Sequence, residues 1–553
     1  MGTRNLVAFL WIAFLARGAF YCSLMPLWEG FDEWAHFAVV QNMAIRSVWS
    51  VDRKDPVSRE VLESLRLAPK PWGVRRDAAA DGMPHDDFWR LPASERLSIE
   101  ARLRSLLPEW SREYPDRGVR SYEAQQAPLY YWLLSLAYRP MAGLPLLSRV
   151  WLLRLITLAL ASFTVPLTFL LARRVFASDA LAVGVTAIVV SMPELMMLCC
   201  RIGNDGLAAT LGTLCLLLML ECGDSSPPRW MAPLLGAALG FALLTKAYFL
   251  ALVPALLVYA AYTSIRSRAR WVPVARGWAS AFSIAALLAG WWYWLTWRAT
   301  GSLSGEQLET AAWRSAPLSA ILGMLGSIHW RVPADFAFVT HVWVGNWSFL
   351  VVRSWMYHAL AWTAVAAAVG VALRVIRPGA LRRSDILGLV LAYLAMLSAL
   401  AYHLVMTFAA TGKAATLGYY LYGVIAAEAV LAAVGLAALV PHRAKAFVAP
   451  GLAMLFAALD VYGMQFYLVP YYTGAIVHSE AGKLETAHIG DLVRNAGLIL
   501  ERTAENKAGA LTPGSVLFGW ILYLAATVAV VVGAFCYSRQ KIAVPPGNET
   551  DTA

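Results

Sequence analysis

A dozen apolar runs of about 20 residues, the length that crosses a hydrocarbon core, constrain this 553-residue chain more than any other feature. They fall at 5–24, 146–172, 180–198, 206–222, 231–245, 247–263, 277–298, 354–373, 385–408, 417–440, 446–467 and 514–537. Apolar residues make up 59% of the chain. In lipid every backbone amide needs a partner within its own segment. The expected fold class is therefore all-α: a polytopic helical membrane protein of about 12 transmembrane helices. Residues 1–553 read as one integral membrane unit, with no internal repeat and no soluble second domain.

The net charge of +11 does not point to nucleic acid. Much of it sits in short loops: Arg173 and Arg174; Arg266, Arg268, Arg270 and Arg276; Arg374, Arg377, Arg382 and Arg383; Arg443 and Lys445; Arg539 and Lys541. Basic loops mark the cytoplasmic side. Twelve spans with both termini inside put every cluster there, whereas counting the apolar segment Pro128 to Met141 as a thirteenth span would put them outside. That segment, about 14 residues long, is therefore taken as interfacial or re-entrant. Three extracytoplasmic regions follow, 25–145, 299–353 and 468–513, in an inner (plasma) membrane protein. Within the first, Ser94 is the expected N-cap of a helix over 95–107 with Leu97, Ala101 and Leu107 along one side. The six cysteines lack zinc-site spacing and read as small core residues. No cleavage site follows the first span, which is read as a retained anchor.

Four elements carry candidate chemistry. Gly30-Phe31-Asp32-Glu33-Trp34-Ala35-His36-Phe37 follows almost directly on the first span. Ionisable groups at a membrane edge are candidates for function, and Asp32 and His36, four apart, share a helix face. Asp32 reads either as the N-cap of the helix that follows or as a base accepting a hydroxyl proton; Glu33 either adds charge to the first turn or supports catalysis. Arg201-Ile202-Gly203-Asn204-Asp205-Gly206 is a turn by composition, and Asp205 is a helix cap or a second site acid. Asp32 and Asp205 together leave a divalent cation, or an acceptor held between them, open. Tyr122-Glu123-Ala124-Gln125-Gln126-Ala127-Pro128-Leu129-Tyr130-Tyr131-Trp132 is a polar turn entering an aromatic interfacial helix. Lys246, between two apolar stretches, either snorkels to headgroups or binds a lipid phosphate. The aromatic loop 299–353, with Trp313, His329, Trp330, His341, Trp343 and Trp347, reads as interfacial anchoring or as a floor for sugar or isoprenoid.

These motifs, in this order over residues 1–260, resemble the GT-C glycosyltransferases. The pattern is Pro-x-x-x-Gly-x-Asp-Glu, Tyr-Glu-x-x-x-x-Pro-Leu-Tyr-Tyr, Asn-Asp-Gly and Leu-Thr-Lys. In particular they look like bacterial relatives of the protein O-mannosyltransferases and aminoarabinose transferases, glycosyltransferase family 39. The resemblance implies a polyprenyl-phosphate sugar donor, inversion at the anomeric carbon, Asp32 as catalytic base, Asp205 as the second acid and Glu33 beside them. It implies substrate contacts from His36, Tyr122, Glu123, Gln126, Tyr130, Arg201, Asn204, Lys246, Lys413, Tyr419 and Tyr420. The chain departs from many relatives in two places. It has Gln125-Gln126-Ala127-Pro128 for His-x-Pro-Pro or Lys-Pro-Pro, and Gly418-Tyr419-Tyr420 for Gly-Arg-Tyr. The missing arginine leaves the phosphate to Lys246, Arg201 or Lys413. The implied partners are the lipid-linked donor, membrane lipid and an acceptor glycan, lipid or protein. The alternatives are a lipid or lipid-linked-glycan flippase and an envelope polysaccharide polymerase or ligase.

Overall fold

A computed structural model describes residues 2–74, 82–224, 226–267, 270–305, 317–377, 381–480, 482–505, 507 and 511–543. Arg268 and Trp313 lie outside them. Among the described residues the regular structure is helical, and strand pairing is limited to isolated bridges. Ten helices are long and apolar enough to cross a membrane, from Thr3–Leu24 to Pro513–Gln540. An eleventh traverse is broken: Asp179–Ser191 and Pro193–Cys199 meet at 64°. The twelfth expected run is the short helix Met231–Leu243, which brings the chain to Lys246.

The two ends of the bundle differ in charge. Arg174 pairs with Asp224 at 2.6 Å and with Asp385 at 3.3 Å, Arg382 also reaches Asp224, and Arg270 bonds Ser226. Arg173 pairs with Asp179, whose carboxylate accepts from Thr3 near the N-terminus. Phe447 stacks on Phe535 of the last helix. The basic loops thus share one end. Asp32, Arg201, Asp205 and Lys246 share the other, a full helix Asp205–Cys222 away, about 27 Å. The chain leaves the first span at Leu24 and re-enters at Leu146 on this second end.

Between those points a second core forms beside the bundle. Helix Glu33–Arg46 packs Phe37, Val40 and Met43 against Tyr130, Leu134 and Tyr138 of helix Leu129–Met141. Buried Glu60, of helix Arg59–Leu67, accepts from Gln41 at 2.9 Å and is clamped by Arg149 of the span Leu146–Ser162. The helix expected at 95–107 runs instead over Ala93–Arg104. Pro92 supplies its start, so Ser94 is inside the helix and caps nothing. Leu97 and Leu107 are exposed, and Arg96 and Leu103 form the buried side.

Deep in the bundle Arg17 and Asp460 form a fully buried ion pair at 2.6 Å. Tyr523 donates to Asp460 at 2.7 Å and Tyr21 bonds its other oxygen, so three helices meet at one carboxylate. Arg17 also donates to the Val190 carbonyl beside the break at Pro193, which lacks an N–H. Removing one member leaves the other charge buried and alone, at a cost of ~3–5 kcal/mol. Arg17→Met is therefore expected to lower the melting temperature in detergent markedly, and Arg17→Met with Asp460→Leu to recover most of the loss. A single variant that melts like the parent would refute this account.

Candidate active site

Asp32 occupies the N-cap position of helix Glu33–Arg46, but its carboxylate makes no cap bond. Its backbone is left-handed, with φ 55°, a conformation that aspartate tolerates better than most residues. The side chain is turned to Tyr122, whose hydroxyl donates to Oδ1 at 2.6 Å. This turn is held from below. Glu33 is fully buried and takes a fork from Arg154, with Nε to Oε1 at 2.7 Å and Nη2 to Oε2 at 2.5 Å. The same guanidinium donates to the carbonyls of Cys22, Met25 and Pro26 where the first span ends. Gly30 is required here, because a Cβ would stand 2.8 Å from the Arg201 Cβ.

The 200–206 turn docks on that platform. Ile202 N–H donates to Glu33 at 3.1 Å, and Gly203 N–H to the Tyr130 hydroxyl at 2.9 Å. Asn204 ties the turn to the Thr245 carbonyl at 3.1 Å and to Gln126 at 3.4 Å. Two cations converge on Asp205: Arg201 at 3.1 Å, and Lys246, whose Nζ bonds the other oxygen. The Arg201 guanidinium carbon stands 5.1 Å from the ring centres of Phe31 and Tyr419, which pack against each other at 5.3 Å, and Lys246 lies over Tyr248 and Tyr420. Arg201 is buried, yet its Nε and Nη1 have no hydrogen-bond partner. Buried donors are normally satisfied, so two orphans on one guanidinium mark a place for an acceptor.

These groups head a cavity of about 1100 Å³. Its polar end holds Asp32, His36, Glu123, Gln125, Gln126, Arg201, Asp205, Lys246, Tyr419 and Tyr420. Its walls are mostly apolar, with Thr296, Ser398, His403 and Thr407 among them, and come from helices Leu252–Arg266, Trp271–Thr300 and Arg383–Thr411. Lining residues on the last of these run from Leu391 to Thr407, about 24 Å of helix. Val258, Leu394 and Tyr402 on the walls are also exposed, so the trough opens sideways on the flank of the bundle.

Burial separates the titrating groups. The Asp32 carboxyl is raised by desolvation, against the Tyr122 bond and the Arg201 charge. Glu123 is pushed up to about 8, by burial first and the Asp32 charge second. His36 is pushed down to about 3 by burial and by Lys246 and Arg201. At neutral pH Glu123 is a protonated acid and His36 a neutral imidazole, 2.7 Å from the Tyr131 hydroxyl.

The structure thus brings Asp32, Asp205, His36, Glu123, Gln126, Arg201, Lys246, Tyr419 and Tyr420 to one cavity. Four expected site residues stand behind it: Glu33, Tyr122, Tyr130 and Asn204 position the two turns and are absent from the lining. Glu33 in particular has both oxygens committed, to Arg154 and to the Ile202 N–H. Lys413 is exposed and off the cavity, so it is not the phosphate cation. A divalent cation does not fit: both Asp205 oxygens are taken by cations, and no three His, Cys, Asp or Glu side chains gather among the described residues. In the aromatic loop Trp343 is buried and bonds the Leu350 carbonyl, Trp347 packs behind Phe31, and His341 bonds Glu428; His329 and Trp330 are exposed. Sequence reasoning missed Arg154 and Arg149. Their signal was present, since an arginine inside an apolar span needs a buried partner.

No protein-family model and no curated protein matches this sequence. Among solved structures, the chain is similar to ArnT from Cupriavidus metallidurans bound to undecaprenyl phosphate. The identity is 15% and the TM-score 0.46, over 97% of this chain and 78% of that one. It is similar to the same protein in the apo state at 15% identity and TM-score 0.46, over 96% of this chain and 77% of that one.

Proposed function

We propose that this chain is an inverting membrane glycosyltransferase that moves a sugar from a polyprenyl-phosphate donor to an acceptor hydroxyl on an extracytoplasmic glycolipid, polysaccharide or protein. The observation that carries the reading is the cavity's polarity. A buried guanidinium with two unpaired donors and a buried lysine stand at the head of an open-sided apolar trough, with a desolvated carboxylate beside them. An isoprenoid tail suits the trough, and a phosphate supplies the acceptors that Arg201 lacks.

The reaction follows from the positions. Tyr122 holds Asp32 Oδ1, leaving Oδ2 to accept from the acceptor hydroxyl. Asp32 takes the proton as the acceptor oxygen bonds the anomeric carbon. The bond from that carbon to the phosphate oxygen breaks, and the electron pair leaves with the phosphate. Charge moves from the carboxylate to the phosphate, where Arg201 and Lys246 stand. Stabilising groups placed where charge develops lower the barrier most. A flippase is disfavoured by the one-ended arrangement: ionised groups crowd one head of the trough, and the walls beyond are mostly apolar.

Asp32→Asn is expected to cut turnover by ~10²–10⁴-fold. Melting temperature and donor binding should be retained, because the carboxylate caps nothing and asparagine tolerates the left-handed backbone. Near-normal transfer by this variant would end the assignment of Asp32 as base.

Arg201→Lys keeps the charge but loses the fork, so inhibition by free polyprenyl phosphate should weaken by about tenfold or more. Lys246→Met should lower transfer and weaken the same inhibition. Unchanged inhibition in both variants would place the phosphate elsewhere.

Sidedness is checked with engineered cysteines in a Cys536→Ser background. Arg104→Cys and Asp491→Cys should react with an impermeant reagent in intact cells, and Arg377→Cys only after lysis. The reverse pattern would move the cavity to the cytoplasmic side.

A further inference from the structure

Glu123 is a carboxyl at the polar end that the scheme above does not use. It sits on the short turn Tyr122–Gln125 and lines the cavity with Asp32 and Lys246. Its Oε2 is buried and has no hydrogen-bond partner; His36 Nδ1 stands 3.8 Å from it. The groups acting on it come from five elements: Asp32 and His36 from the first turn and its helix, Tyr131 from the interfacial helix, Asp205 from the third-span turn, Lys246, and Tyr420. His36 is neutral and already engaged with Tyr131, so it does not compensate a Glu123 charge. Two carboxyls, Asp32 and Glu123, therefore share one desolvated space, where only one of them ionises readily.

A protonated carboxyl is a donor, and a buried donor with no acceptor has the same meaning as the two orphan donors of Arg201. All three call for a ligand rich in acceptors. The non-bridging and leaving oxygens of a phosphate are acceptors alone, whereas sugar hydroxyls also donate.

We propose, resting on the glycosyltransferase reading, that Glu123 is a general acid that protonates the departing polyprenyl phosphate. As the bond between the anomeric carbon and the phosphate oxygen breaks, a phosphate oxygen takes the Glu123 proton. The products are the Glu123 carboxylate and a polyprenyl phosphate monoanion. Asp32 has meanwhile accepted the acceptor's proton. Passage of that proton from Asp32 to Glu123 resets both carboxyls. Overall one hydroxyl proton ends on the phosphate, and no proton is exchanged with bulk water. The charge that would otherwise build to a dianion in a dry site stays at one.

The test is Glu123→Gln, with transfer measured against pH and with infrared spectroscopy of the protein. Turnover should fall by ~10²-fold, with the donor KM within a few-fold of the parent. The parent's rate should decline as pH rises through about 8, where Glu123 ionises, and the glutamine variant should lack that limb. The parent should show a protonated-carboxyl C=O stretch at neutral pH that vanishes in Glu123→Gln and on raising the pH. Glu123→Asp, which keeps the acid, should retain the limb at an intermediate rate. Parental turnover in Glu123→Gln, persistence of its alkaline limb, loss of the limb in Glu123→Asp, or absence of the protonated-carboxyl stretch would each overturn the proposal. A parent that shows the stretch yet transfers no sugar from any polyprenyl-phosphate donor would instead overturn the glycosyltransferase reading and the acid's role with it.

Discussion

The fork between Arg154 and Glu33 holds the rest of the site in place. Arg154 comes from the span Leu146–Ser162, and its remaining donors take the backbone carbonyls where the first span ends. Glu33 in turn receives the N–H of Ile202. One ion pair therefore joins the exit of the first span, the Asp32 turn and the Arg201–Asp205 turn, with no water needed to satisfy any member. A buried pair of this kind adds little net stability over an apolar replacement, but it fixes geometry and is costly to break. Arg149 repeats the device a turn and a half away, clamping Glu60 and through it Gln41 and Ser58.

Asp205 follows from the same logic. It pairs with both Arg201 and Lys246 and offsets part of the positive charge they bring into a desolvated space. It also fixes where they stand. In the proposed reaction a phosphate at the head of the trough would meet cations already placed, and the orphan Nε and Nη1 of Arg201 are the donors not spent on Asp205. Preorganisation of this sort spares the reorganisation that mobile side chains would need during the reaction. Phe31 and Tyr419, themselves in contact, pack together against the guanidinium.

The helical architecture was legible because lipid leaves few alternatives. Apolar length located ten spans and the broken one, and the basic loops do gather at one end. The run at 231–245 shows the limit of that signal, since it folds as a helix of only 13 residues. The site was legible where charge sat at a span edge, as at Asp32, Asp205 and Lys246. It was not legible where the decisive fact is a partner distant in sequence. Nothing local to Glu33 announces Arg154, 121 positions later, so the sequence could suggest a supporting carboxylate but not the ion pair that makes it a foundation. Lys413 failed for the opposite reason: proximity in sequence to Tyr419 and Tyr420 suggested the cavity, but the lysine stays exposed.

Two buried carboxyls with different duties follow from their different partners. Asp32 has Tyr122 donating to it and Arg201 acting on it, both of which favour its ionised form. Glu123 has an unpaired oxygen and the Asp32 charge beside it, both of which favour its neutral form. Burial raises both carboxyls, Asp32 being held back by Tyr122 and Arg201 and Glu123 pushed further by Asp32, and in the proposed reaction that difference sets the base apart from the acid. The separation depends on a dry cavity: flooding it with water would remove the desolvation that heads both shifts. In the proposed function the apolar trough walls serve this second purpose besides receiving a lipid tail. They keep solvent from the head of the site, where a few fixed charges and one mobile proton set the chemistry.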